Sequence, residues 1–342
     1  MSPLPNLPGV LTSAEIRTSG EHLASLQLAS GMIPWFPGGH CDPWNHVETA
    51  MALDVAGFRD EARRAYLWLA DTQRADGSWH NYYLPDDSIE DLKHDSNVCA
   101  YVATGLWHHW CSSGDRAFVE RLWPTVERAL EWVLTMRRSD GTILWAEEID
   151  DRPWDYALLT GSSSIRHSLR CGVALATVLG VDQPVWTAAA DRLDVLINDH
   201  PEAFEPKERW AMDWYYPVLS GSLTGEAAKS RLAESWDVFA MEGKGIRCVS
   251  DEPWITASET AEASLAFAAI GDLTTATDLL AWIGVHRLGD GSYHTGIVYP
   301  GQQRFPVDER TSYTAAAVIL AADAITGATP GSRVFIPHEP DG

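Results

Sequence analysis

ETAMALDVAGFRDEARRAYLWLADTQRADGSW (residues 48–79) and EASLAFAAIGDLTTATDLLAWIGVHRLGDGSY (residues 262–293) align end to end without a gap. Each reads as an apolar helix, a glycine break (Gly57, Gly271), a second helix and an Asp-Gly-Ser-aromatic turn. Each also starts on an acid set in an otherwise apolar helix, Glu48 in one copy and Glu262 in the other. A repeated helical hairpin of this length predicts a solenoid or a closed toroid. Acids at the same point of two repeats predict carboxylates that face one cavity.

Outward from this pair, two kinds of helix alternate. Phe58–Gln73, Ala117–Arg137, Trp186–Asp199, Gly225–Phe239 and Leu273–Arg287 are amphipathic, with one solvated face. Val47–Ala56, Val98–Trp107, Leu169–Leu179, Ala261–Ile270 and Ala315–Ile325 are apolar nearly all round and are expected to be buried on every side. With a first helix near Ser13–Ala29, capped by Ser13, and a short one near Asp213–Leu219, roughly twelve helices alternate outer and inner. The expected fold is all-α, an (α/α)6 toroid spanning residues 1–342 as a single domain. Short strands near Trp79–Leu84 and Thr142–Trp145 are expected as decoration, and the Pro-rich ends (residues 1–10 and 330–342) as loose tails. Gly31, Gly77, Gly141 and Gly291 end outer helices, three of them after Asp, which is helix-stop chemistry.

The inner helices of a toroid all begin at one mouth. Their starts here read GGHCDPWNHVE (38–48), LKHDSN (92–97), GSSSIRHS (161–168), MDWYYP (212–217), WITASETAE (254–262) and DERTSYT (308–314). Capping alone needs one Ser or Asp per helix, so this wealth of acids, His, Trp and Tyr predicts a pocket. Asp42 before Pro43 reads as an N-cap, and Asp95 before Ser96 as another. A buried Glu48 or Glu262 must be paired, hydrogen-bonded or protonated. For Glu48 the alternative to a role in the pocket is an ion pair with Arg166, Arg310 or His46. Glu259 lies one turn nearer the mouth than Glu262 on nearly the same face.

Sixteen tryptophans exceed what a core of this size requires. Most are read as core. Trp35, Trp44, Trp79, Trp145, Trp154, Trp214 and Trp254 fall in loops or at helix starts, where flat faces suit sugar rings. Paired carboxylates between aromatic walls suit glycosidic bond hydrolysis, one acid protonating the leaving oxygen while the other activates water or attacks the anomeric carbon. Asp42 at a helix start is the candidate base. Glu259 or Glu262 is the candidate acid, and the assignment between them stays open. An inverting pair is expected roughly 6.5–9.5 Å apart. Trp35, Trp44, His46, Glu48, Asp95, Asn97, Arg166, His167, Asp213, Trp214, Tyr215, Trp254 and Tyr313 are the candidate substrate-binding residues.

The formal net charge of −23 argues against nucleic acid and anionic membrane surfaces as partners. Five scattered cysteines without CxxC spacing predict neither a disulfide framework nor a structural zinc site. No metal or cofactor is expected. The chain start has no basic and apolar leader and no apolar run of spanning length follows, so a cytoplasmic protein acting on an oligosaccharide or polysaccharide is expected. The sequence is silent on oligomeric state.

Gln73–Trp79, QRADGSW, matches the QxxDGSW tag of terpene cyclases and protein prenyltransferases, a structural motif. The chemistry of those families is missing: there is no DxDD, and Asp86–Asp91 follows Pro85 in a loop rather than lying on a helix. An isoprenoid enzyme, a non-catalytic sugar-binding toroid, and an epimerase or lyase are the competing readings. The segments PWFPGGHCDPWNHVETAMAL, GSSSIRHSLRCGVALA, MDWYYPVL, GIRCVS, PWITASETAE and TSYTAAAVILAADA together resemble the actinobacterial methylmannose polysaccharide hydrolase family, (α/α)6 endo-α-mannosidases often labelled prenyltransferase-like. The resemblance covers nearly the whole chain. It implies inverting hydrolysis of internal α-(1→4)-mannosidic links in partly methylated mannan oligosaccharides by an Asp/Glu pair. Carried onto this chain, the pair is Asp42 with Glu259 or Glu262. Nothing in the residues themselves selects mannose or methylation.

Overall fold

The structure is a computed structural model and describes residues 3–336. Among the described residues, six outer helices alternate with six inner ones. The first hairpin pairs outer α1 (Ser13–Leu26) with inner α2 (Pro43–Ala56), and the second pairs α3 (Arg59–Thr72) with the interrupted inner helix α4 (Ser96–Ala100) and α5 (Val102–Ser113). Then come α6 (Arg116–Thr135) with α7 (Leu159–Leu179), and α8 (Pro184–Asp199) with the short α9 (Ala211–Leu219). The last two hairpins pair α10 (Gly225–Glu234) and α11 (Trp236–Phe239) with α12 (Ala257–Ala269), and α13 (Leu273–Trp282) with α14 (Ser312–Thr326). Each inner helix packs on the next, and α14 packs back on α2, so the ring closes.

Side chains lock that closure. Ser312 Oγ donates to Pro34 O at 3.0 Å, Ser19 Oγ to Gly291 O at 2.9 Å, and Arg287 pairs with Glu15 at 2.7 Å. Small residues let the inner helices approach: Ala50, Ala103, Ala261, Ala263, Ala315 and Ala316 are fully buried. The first helix is capped by Thr12 rather than Ser13, because Thr12 and Glu15 close a reciprocal capping box.

The Asp-Gly-Ser turns are structural. Asp76 Oδ1 accepts from the amide (2.9 Å) and hydroxyl (2.7 Å) of Ser78, and Asp290 does the same for Ser292. Gly77 has φ +101°, and a Cβ there would come within 2.3 Å of Arg128 O on the neighbouring outer helix. Only glycine permits both the left-handed turn and that approach. Gln73 Nε2 then bridges Gly77 O and Thr125 O, each at 2.9 Å.

The expectation of an all-α chain needs correcting. Four small antiparallel sheets are present among the described residues, including β3 (His94–Asp95) with β4 (Ala146–Glu147) and the three-stranded β7 (Trp254–Thr256), β8 (Gly296–Val298) and β9 (Gln303–Arg304). The loops feeding the inner helices cover the mouth, and pairing satisfies backbone groups buried there. β1 (Tyr82–Tyr83), which pairs with β2 (Ile89–Asp91), falls inside the expected stretch Trp79–Leu84, and β4 directly follows the expected Thr142–Trp145. The ends are also packed rather than loose where they are described. Ser13 Oγ bonds Pro5 O at 3.0 Å, and a 3-10 turn at Pro330–Val334 packs on α5 and buries Val334 and Phe335. Residues 337–342, including Pro337–Pro340, lie outside the described residues. No helix among the described residues is long and apolar enough to cross a membrane.

Candidate active site

Glu48, Tyr101, Ser164, Tyr216, Glu262 and Ala317 each stand six residues after the N-cap of an inner helix. They form one layer around the ring. Above it opens a cavity of about 360 Å³ at the inner-helix N-termini. Five carboxylates line it: Asp42, Glu48, Asp95, Glu259 and Glu262. Trp35, Trp44, Asn97 and Tyr313 share the wall. The convergence of Glu48 and Glu262 anticipated from the repeat is therefore present.

Asp42 caps α2, and both its oxygens accept hydrogen bonds. Oδ1 takes the Asn45 amide at 2.9 Å, while Oδ2 takes Asn45 Nδ2 and the Trp35 indole N–H, each at 2.7 Å. Burial pushes its carboxyl up, and these donors pull it back toward the ionised form. Asp95 caps α4 through the amides of Asn97 and Val98 and is pushed up to about 6, mainly by burial. Glu259 accepts from Ser258 Oγ at 2.7 Å and Cys248 Sγ at 3.3 Å.

The floor carboxyls behave differently. Glu262 is raised to about 8 by burial, held back by the Tyr215 hydroxyl that donates to it. Glu48 is raised well above the usual carboxylate range by burial, then by the charges of Glu262, Asp42 and Glu259. The alternative ion pair for Glu48 does not form. Arg166 holds Asp194 at 2.6 Å, Arg310 holds Asp290, and His46 is bound to backbone. At neutral pH the floor holds protonated carboxyl, whereas the rim acids Asp42, Asp95 and Glu259 each accept hydrogen bonds from nearby donors.

Seven expected wall residues lie elsewhere. His46 is wedged between the Ile33 amide and Ala65 O, neutral, its pKa lowered to about 4 by burial. Arg166 and His167 point away because α7 starts at Leu159, nearly three turns before the expected Leu169, so both sit below the rim. His167 stacks on Phe335 instead. Trp214 is core: it stacks on Phe239 at 5.4 Å, and its indole N–H reaches Arg231 O at 2.9 Å. Tyr215 is buried behind the wall and meets the site only through Glu262. Trp254 lies outside the cavity lining, bonded to Phe305 O at 3.0 Å. Asp213 bonds Thr160 at 2.5 Å and lines a neighbouring groove. Among the other aromatics read as sugar faces, Trp79 is buried, with its indole N–H on Leu69 O at 3.0 Å.

The cavity also draws in Asn45, Asn81, Tyr82, Lys93, Val98, Thr160, Met212, Tyr216 and Ser258, with Trp145. Tyr216 was legible by register, six residues into its helix like Glu48. Asn81, Lys93 and Trp145 come from loops and Tyr82 from the two-residue β1, and none of them carries a periodic signal.

No family profile matches the chain. It is 50% identical, over 97% of its length and 92% of the relative's, to the MMP endo-(1,4)-3-O-methyl-alpha-D-mannosidase of Mycolicibacterium hassiacum. The chain belongs to that family of glycoside hydrolases. The endo-mannosidase family thus includes this acid-lined toroid. An uncharacterized glycosyl hydrolase of Methanocaldococcus jannaschii is 34% identical over 47% of this chain and 26% of its own length. Among solved structures, a glycosidase in complex with glucose matches with a TM-score of 0.74 at 14% identity, covering 93% of this chain and 98% of that one. A D-mannose isomerase matches with a TM-score of 0.71 at 12% identity, over 92% and 96%. At such identities these two show the shared fold alone.

Proposed function

We propose that this protein is an inverting endo-α-mannosidase acting on α-(1→4)-linked, partly 3-O-methylated mannan oligosaccharides. The observation that carries the reading is the split between donor-stabilised Asp42 at the rim and protonated Glu262 at the floor of one cavity, in a chain half identical to a mannosidase. Glu262 gives its proton to the glycosidic oxygen as that bond breaks. Asp42 takes a proton from the water that attacks the anomeric carbon from the opposite face. The cycle leaves Asp42 protonated and Glu262 ionised, and exchange with solvent resets both. Glu48, raised by burial and by the charge of Glu262, stays protonated beside the acid and adds no charge to the floor. Glu259, bonded by Ser258 and Cys248, is left to hold sugar hydroxyls.

Trp35, Trp44 and Tyr313 offer ring faces to the sugar. Val98 and Met212 are the aliphatic members of the wall and suit a methyl ether, which loses a donor and gains apolar volume. The site draws on α2, α4, α7, α9, α12 and α14 at once, so the reading takes the chain as one domain acting in the cytoplasm.

The test is a screen of oligosaccharides of defined linkage and methylation, with products followed by mass and the first anomer by NMR. Cleavage of internal links with the β-anomer formed first supports the reading. The α-anomer formed first overturns inversion, and no cleavage of any mannoside returns the non-catalytic sugar-binding toroid to the front.

A further inference from the structure

An internal cut requires chain on both sides of the scissile bond, and the funnel is a dead end. Its floor layer sits on inner helices packed through fully buried alanines. At least one arm of a bound polymer must therefore leave across the mouth.

One exit is built. Beside the funnel, at the same ends of α7 and α9, lies a second and larger groove of about 660 Å³. The two share a wall. Thr160 lines the funnel, and its hydroxyl donates to Asp213, which lines the groove. Trp145 lines the funnel and stacks at 5.6 Å and 23° on Tyr156, which lines the groove. Both rings carry a cation: Lys93 Nζ is 4.5 Å from Trp145, and Lys207 Nζ is 5.7 Å from Tyr156. Further along, Trp210 is 44% exposed with Arg209 5.4 Å from its ring. A row of flat faces edged by charged side chains is the surface that sugar rings and their hydroxyls use.

We infer that this groove is a second carbohydrate-binding site, which holds the arm of the oligosaccharide leaving the funnel over the Trp145–Tyr156 ledge. The inference rests on the glycosidase reading of the funnel and adds to it a chain-length dependence. Asp213, misread from sequence as a funnel residue, becomes a groove residue placed to accept from a distal sugar hydroxyl.

The test measures kcat/KM for a ladder of α-(1→4)-mannan oligosaccharides, from the shortest one cleaved upward, for the wild type, Trp210→Ala and Lys207→Ala. The wild type is expected to gain with length until the groove is filled. In Trp210→Ala the ratio of kcat/KM between the longest and shortest substrates falls about tenfold, with a smaller fall for Lys207→Ala. An unchanged ratio in both variants, or an equal loss at every length, overturns the groove. Lys207 lies in a loop, so its variant keeps the question decidable if Trp210→Ala does not fold. If the wild type cleaves no mannoside, the glycosidase reading fails by itself. Calorimetric titration with the longest and shortest mannan oligosaccharides then decides the groove. Tighter binding of the longer one that Trp210→Ala abolishes upholds it, and equal or absent binding at both lengths overturns it.

Discussion

Helices α2 and α12 are copies in register, and they differ where chemistry is needed. Their sixth positions are the same residue, Glu48 and Glu262, on one floor. Their upper positions diverge. The N-cap is Asp42 in α2 and Thr256 in α12, and the third position is Asn45 in α2 and Glu259 in α12. In α2 the third residue donates to the acid above it, whereas in α12 the third residue is itself the acid, and Ser258 and Cys248 donate to it. The repeat supplies two equivalent scaffolds. Donors around each acid, rather than position alone, make one a carboxylate suited to activating water and leave another a carboxyl suited to giving up a proton.

The comparison breaks most sharply at the catalytic pair. Asp42→Asn keeps a capping residue, and Glu262→Gln keeps shape, so both variants are expected to fold and bind substrate. Each is expected to lose turnover by about 10³-fold. A near-normal rate for either variant on a cleaved oligomannoside removes it from the pair.

The third position of α12 is the next lever. Glu259→Gln is expected to cost only about tenfold in kcat/KM, as the loss of one charged hydrogen bond to a hydroxyl. A loss as large as that of Glu262→Gln exchanges the roles of the two glutamates. Met212→Gln, on α9 across the ring, provides a contrast outside the repeat. It should lower the preference for methylated over unmethylated substrate by about tenfold without changing the pH profile.

The floor pair sharpens the comparison through pH. Activity should fall as pH rises through about 8, where Glu262 loses its proton. Glu48, raised further by the charge of Glu262, is still protonated when Glu262 titrates, so Glu48→Gln removes no charge at that step and the alkaline limb is expected to stay near pH 8. A limb that moves down by about one unit shows instead that Glu48 ionises before Glu262.

The smallest effect is on stability. Glu262 has a folded pKa above its unfolded one, so between about 4.5 and about 8 the folded state binds more protons and stability is lost as pH rises. Glu262→Gln, with no charge to bury, is expected to melt about 3 °C above the wild type at pH 8, the gap closing below pH 5. Equal melting temperatures at both pH values mean that this carboxyl is not buried at such cost.

Much of this was legible along the chain. The gapless repeat and the outer-inner alternation of helices determined the toroid, because a helix apolar on all sides has nowhere to go but an inner ring. Asp42-Pro43 determined an N-cap at the mouth, and Glu48 and Glu262 a shared depth, because a helix fixes how far each residue lies from its start. What periodicity could not reach was direction around the helix. The α7 start lies nearly three turns earlier than its polar block implied, which carried Arg166 and His167 out of the funnel. Adjacent Trp214, Tyr215 and Tyr216 went to three destinations, the core, the back of Glu262 and the cavity, because successive residues on a helix point about 100° apart. Loop residues such as Lys93 and Trp145 joined the wall through strand pairing between distant segments, which no local pattern encodes. Which carboxyl carries a proton was decided last, by burial and by donors such as Tyr215 that only the closed ring brings to hand.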